Sequence, residues 1–241
     1  MSMTKHQTPR GFYRKETEGG RVVFAPDKYT RTLHDGFLES VGEIYYPNQF
    51  ECVKRHIKNR FFLKLDLKDA FDSVNAIMAE VVLDLDFGFS WKYFFHEKGG
   101  LIQGAPASPA IFHLYCMEVL DSRIQEWCVL NNLAYSRFVD DILISSPRTS
   151  GRNLDRFGKK KRKVIRRIIK RARFQVNEQK SIAVDNKYTP IVYLGMQIFQ
   201  NSVTPKKDFV EKIIAEPPGT RRYEGLEGWE RAVIAVNRVN R

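Results

Sequence analysis

Asp140 and Asp141 stand side by side in an otherwise apolar run, Phe138-Val139-Asp140-Asp141-Ile142-Leu143-Ile144. Apolar residues on both sides read as a pair of buried strands, and charged residues are almost never fully buried unless paired or metal-bound. Two neighbouring carboxylates repel each other unless a cation lies between them. Upstream, Phe61-Phe62-Leu63-Lys64-Leu65-Asp66 closes a second apolar strand on an aspartate. An Asp-Asp pair in a random loop is usually just a turn. Three carboxylates from two strand ends point instead to a two-metal phosphoryl-transfer site. A carboxylate cluster without nearby His or Cys favours Mg²⁺, with Mn²⁺ as an alternative, over Zn²⁺.

These strands sit in a chain of 241 residues, long enough for one domain or two closely packed subdomains. Its 40 Lys and Arg against 28 Asp and Glu give a net charge of +12. Such an excess fits a polyanionic partner, since each phosphate contact releases condensed counterions; an inert basic surface is the plainer alternative. Cys52, Cys116 and Cys128 are odd in number and lack metal-ligand spacing, so they read as reduced thiols of a cytoplasmic protein. No apolar run approaches a membrane span, and the N-terminus is too polar for a signal peptide.

The elements that must position the carboxylates follow from pattern. Phe12 to Pro26 reads as a β-hairpin turning at Glu18-Gly19-Gly20. Helical spacing covers Asp27 to Val41 and a second helix Gln49–Ile57. After the strand at 61–67 a helix starts at Asp69, with a further one at Asp72 or Ser73, and Glu80–Phe89 is apolar but ambiguous. Pro109 opens a long helix to about Asn131, ahead of the hairpin that holds the aspartate pair. A strongly basic helix begins after Gly158. Short strands follow near 174–177, 181–185, 191–199 and 202–204, then helices at 206–215 and 226–239. The order is α+β, with helices on one face of a small, mainly antiparallel sheet.

Several segments, in one order, resemble the motifs of reverse transcriptases. Leu65-Asp66-Leu67-Lys68-Asp69-Ala70-Phe71 resembles the first palm motif. Gln103-Gly104-Ala105-Pro106-Ala107-Ser108-Pro109 resembles the Gln-Gly-x-Pro-x-Ser-Pro motif, and Phe138-Val139-Asp140-Asp141 the aromatic-x-Asp-Asp turn, with Phe where Tyr is commoner. Asn177-Glu178-Gln179-Lys180 resembles the Asn-x-x-Lys motif, Tyr193-Leu194-Gly195 the primer grip, and Arg21 to Pro26 the fingers segment over the triphosphate. The chain is thus similar to the fingers and palm of a right-hand polymerase, of bacterial retron or group II intron type more than retroviral. The resemblance implies an RNA-directed DNA polymerase that extends a primer 3′-hydroxyl, DNA or RNA, with dNTPs on an RNA template.

The resemblance also implies roles. Asp66, Asp140 and Asp141 would hold two Mg²⁺ ions, with the Leu67 carbonyl as a further ligand. Arg21 would grip the triphosphate, with Arg14 or Lys15 as a second cation. The Phe71 ring would exclude a 2′-hydroxyl, unless it is simply core. Gln103 and Gly104 would line the nucleotide and template pocket, and Lys180 would be the general acid unless it is a free surface lysine. Pro106, Ser108 and Pro109 read as structural. The basic face at 159–173 is either solvated or a secondary RNA-docking surface.

By the same resemblance, residues 1–60 form an N-terminal arm and fingers, 61–200 the palm (with part of 76–102 belonging to the fingers), and 201–241 the palm end. Only a short or partial thumb fits there: the chain is a minimal enzyme or a fragment lacking the thumb, or a partner protein or a cognate structured RNA completes the grip on the duplex. An inactive RNA-binding palm and an RNA-templated RNA polymerase are the rival readings. The biological programme, whether retron, intron, antiviral defence or diversity generation, is not written in the motifs.

Overall fold

The computed structural model describes residues 7–17, 20, 22–97, 99–147, 159–215 and 220–238. Two compact units share the chain. One takes Met1–Tyr45, Lys68–Arg123 and Ile168–Gln175; the other takes Tyr46–Leu67, Ile124–Arg167 and Val176–Arg241.

The first unit opens with the hairpin of β1 (Phe12–Glu16) and β2 (Val22–Pro26), paired antiparallel with Arg14 opposite Phe24. Asp27 caps α1 (Lys28–Val41), its Oδ1 accepting from the Thr30 amide at 2.7 Å. Phe12 and Phe24 turn inward from the hairpin onto Ile102 and Ala105. The helix expected at Asp69 is only a short 3₁₀ turn, Phe71–Ser73. Asp69 has φ of +46°, which stops a helix from starting there. The next helix, α3 (Ala76–Leu83), starts at neither Asp72 nor Ser73 and takes in only the beginning of the ambiguous stretch; it is capped by Asn75, whose Oδ1 accepts from the Met78 amide at 2.9 Å.

The long helix is present as α4 (Ser108–Cys116) and α5 (Ser122–Leu130), joined through a π-turn at Met117–Asp121. Pro109 sits in its first turn, where a missing N–H costs nothing.

The second unit carries the strand-borne carboxylates. After α2 (Gln49–Lys54) comes β3 (Asn59–Lys68), with Phe61, Phe62, Leu63 and Leu65 buried. The strands β4 (Ala134–Phe138), β5 (Asp141–Pro147), β6 (Gln175–Val176) and β7 (Ile182–Asp185) complete one sheet in the order β4-β5-β3-β6, with β7 also paired to β3. Between β5 and β6 in sequence lies α6 (Lys159–Arg171).

A separate sheet holds β8 (Ile191–Tyr193), β9 (Met196–Phe199) and β10 (Ser202–Pro205), followed by α7 (Lys207–Ala215) and α8 (Arg221–Arg238). The single strand expected over 191–199 is therefore a hairpin, because Leu194 and Gly195 both take positive φ, 51° and 76°, and reverse the chain. Cys52 and Val53 of α2, Phe62, Leu143, Tyr193, Ile198 and Val233 pack into one core. Cys52, Cys116 and Cys128 are all buried, and none of them is in a disulfide. Among the described residues no helix is long and apolar enough to cross a membrane.

Candidate active site

The antiparallel register of β3 and β5 places Asp66 directly opposite Asp141. Side chains so opposed have Cβ atoms about 4.5–5.5 Å apart. Asp140 lies in the turn between β4 and β5, and its carbonyl accepts from the Leu67 amide at 3.0 Å, tying the turn to the end of β3. The turn is tight. Val139 takes φ of +54°, a conformation that β-branched residues rarely adopt, and the Arg137 guanidinium donates to its carbonyl at 2.9 Å. A backbone outlier held by a buried arginine beside two carboxylates is the kind of strain found at functional sites.

Asp66 is nearly buried, and Lys180 Nζ reaches its Oδ2 at 3.2 Å from a largely exposed side chain. The Asn177 amide donates to the Asp66 carbonyl at 2.8 Å, so the Asn-x-x-Lys segment is pinned to β3. The hydrogen bond and charge of Asp66 push the Lys180 ammonium above the ordinary lysine range. Asp140 moves upward too, first through burial and then through the negative charges of Asp141 and Asp66. Electrostatically the three carboxylates therefore sense one another.

Among the described residues no three His, Cys, Asp or Glu side chains are gathered into a ready-made ion site. As they stand, the outer two carboxylates face ammonium groups: Asp66 meets Lys180, and Asp141 Oδ1 meets Lys64 Nζ at 3.4 Å. The donors are nonetheless all oxygen, and they carry surplus negative charge at one strand end. That chemistry fits a hard divalent cation.

Lys64 is a residue that the motifs do not mark. It lies two positions before Asp66, on the same face of β3, and it also approaches the Val192 carbonyl at 3.4 Å. A second unmarked group lies behind the strands. His56 is fully buried; its Nδ1 lies 2.6 Å from Ser145 Oγ on β5 and its Nε2 2.8 Å from Ser136 Oγ on β4. Ser136 Oγ is 3.1 Å from the Tyr193 hydroxyl, which in turn donates to the Asp141 carbonyl at 3.5 Å. Burial lowers the imidazole to about 3, so the ring is neutral.

The other residues named from the sequence belong to the first unit. Arg21 lies outside the described residues. Phe71 stacks on Phe112 with centroids 4.8 Å apart, and its carbonyl accepts from the Leu101 amide at 2.9 Å. The Gln103 carbonyl accepts from the Phe24 amide at 2.8 Å. Gly104, at φ of +98°, comes so close to β2 that a Cβ would lie 2.6 Å from the Phe24 carbonyl oxygen. That approach to the hairpin backbone is reason enough for a glycine.

A family model described as reverse transcriptase (RNA-dependent DNA polymerase) matches residues 24–198. The chain belongs to this family. Reverse transcriptases of bacterial retrons are among its relatives. It is 32% identical over 145 residues to the Retron Ec86 reverse transcriptase of Escherichia coli, a match covering 52% of this chain and 44% of that protein. With the Retron Ec83 reverse transcriptase of the same organism it shares 24% over 159 residues, covering 55% and 50%. The chain thus spans about half the length of the curated relatives it matches.

Among solved structures, a foamy viral protease-reverse transcriptase in complex with dsDNA superposes with a TM-score of 0.55 at 20% identity, over 94% of this chain and 44% of the other. A related foamy viral structure, also with dsDNA, gives 0.56 at 17%, over 93% and 37%. The shared feature is the fold, the α+β palm-and-fingers architecture of reverse transcriptases.

Proposed function

We propose that this protein is an RNA-directed DNA polymerase that extends a primer 3′-hydroxyl with dNTPs on an RNA template. The observation that supports it most is the β3–β5 register, which sets Asp66 across from Asp141 with Asp140 in the adjoining turn. In a family that uses divalent metal ions, Asp66, Asp140, Asp141 and the Leu67 carbonyl would hold two Mg²⁺, or Mn²⁺. When bound, these ions supply charge neutralisation on the triphosphate and make the 3′-hydroxyl nucleophilic.

The remaining work falls to the chain's own groups. Lys180, kept protonated by Asp66, carries a proton at Nζ that it can pass to the leaving pyrophosphate. Arg21 binds the triphosphate, Gln103 and Gly104 border the nucleotide, and the Phe71 ring excludes the 2′-hydroxyl of a ribonucleotide. Buried reduced thiols suit the cytoplasm as the place of action. RNA template, DNA or RNA primer and a cognate structured RNA are the partners; a role in antiviral defence is compatible with the retron kinship.

Primer extension on poly(rA)/oligo(dT) with Mg²⁺ or Mn²⁺ tests the reading. The parent protein extends with dTTP, and Asp140→Asn falls to background. Equal signal in both would leave only an RNA-binding protein. Phe71→Ala should admit rNTPs, and an unchanged sugar preference would remove the gate.

A further inference from the structure

The basic helix α6 is not absorbed by the catalytic reading. Residues 159–173 contain ten Lys and Arg and no acidic residue. Ile165 and Ile169 are buried, so the apolar side of the helix is already spent on the core and is not free to enter a lipid surface. Lys163, Arg167, Lys170 and Arg171 recur at i, i+4, i+7 and i+8 and are all exposed. They form one stripe, about 12 Å long at 1.5 Å per residue.

Like charges at i, i+4 destabilise a helix, and a face that needed only solubility would alternate its signs. Glu178, beyond the helix in sequence, takes the Arg166 guanidinium in a two-pronged bond of 2.9 and 2.6 Å and leaves the stripe alone. Over that length a double helix presents about seven phosphate charges. Arginine among the cations suits phosphate oxygens, which accept its forked donors.

We propose that this stripe is a docking surface for the phosphate backbone of a structured RNA, using residues that the carboxylate cluster does not. The choice of RNA over other polyanions rests on the polymerase reading.

The test compares a long, stem-containing RNA carrying the template with a primer–template just long enough for extension. Binding is measured without dNTPs over a salt series, so loss of docking and loss of polymerase activity are read separately. Replacing Lys163, Arg167, Lys170 and Arg171 together by Gln should weaken the long RNA at least about tenfold and lower the salt slope by about 0.9 for each phosphate no longer neutralised. Binding and extension of the minimal substrate should not change. A charge-keeping variant, Arg167→Lys with Arg171→Lys, should hold the parent's salt slope. Equal affinity and slope for parent and Gln variant on the long RNA would overturn the proposal. So would poly-glutamate displacing the RNA at equal charge concentration, which would mark an acidic protein as the partner.

Discussion

Burial and the charges of Asp141 and Asp66 hold the Asp140 carboxyl above the usual carboxylate range, so at neutral pH the fold carries an ionised group at a cost. Asn has nearly the same shape and no charge. Asp140→Asn should therefore raise the melting temperature in a chelating buffer while removing extension. A melting temperature at or below the parent's would mean that the carboxylate is compensated after all. The aspartates were legible in the sequence because a charge inside an apolar strand is conspicuous. Lys64 was not, since Leu63-Lys64-Leu65 reads as ordinary strand alternation. His56 was less visible still: its serine partners lie 80 and 89 residues away, and no periodicity links them.

At the scale of elements, the hairpin of β1 and β2 depends on one glycine. With Cβ added, Gly104 would meet the Phe24 carbonyl oxygen at 2.6 Å and its amide nitrogen at 3.0 Å, at a φ that L-residues avoid. Gly104→Ala should destabilise by about 1–3 kcal/mol and break the Phe24–Gln103 bond. Differential scanning fluorimetry reads the first, and faster proteolysis within the hairpin reads the second; a variant as stable and as resistant as the parent would refute the packing argument. Elements with strong local signals, such as the hairpin, α1 and the helix begun by Pro109, could be read without coordinates. The failures share a cause. Asp72 and Ser73 offered rival caps that hid Asn75, and Leu194 in a left-handed turn gave no Asn-Gly signal to split β8 from β9. In each, the local signal in the sequence pointed elsewhere.

At the scale of the whole molecule, acid should reveal which buried group dominates stability. In the unfolded chain His56 takes up a proton near 6.5, whereas in the folded chain burial delays this to about 3. Between those values the unfolded state binds more protons, so stability falls as pH falls, by up to about 1.4 kcal/mol per pH unit. Asp185, lowered by its two-pronged bond to Arg60, pulls the same way: its contribution stands above 3.8 and is lost as pH drops through its depressed folded value. Asp140 opposes them, since its raised value means that acidification relieves a cost. Asp185 starts to matter only near 3.8, at the acid end of the range where His56 acts, and Asp140 is not fully buried, so His56 sets the slope from pH 6.5 down to about 4. His56→Gln is expected to be less stable at pH 7, where it loses bonds to Ser136 and Ser145, yet to melt at nearly constant temperature over that range. A His56→Gln curve running parallel to the parent's would transfer the acid sensitivity to the carboxylates, and with it the claim that a neutral imidazole braces the strands behind Asp141.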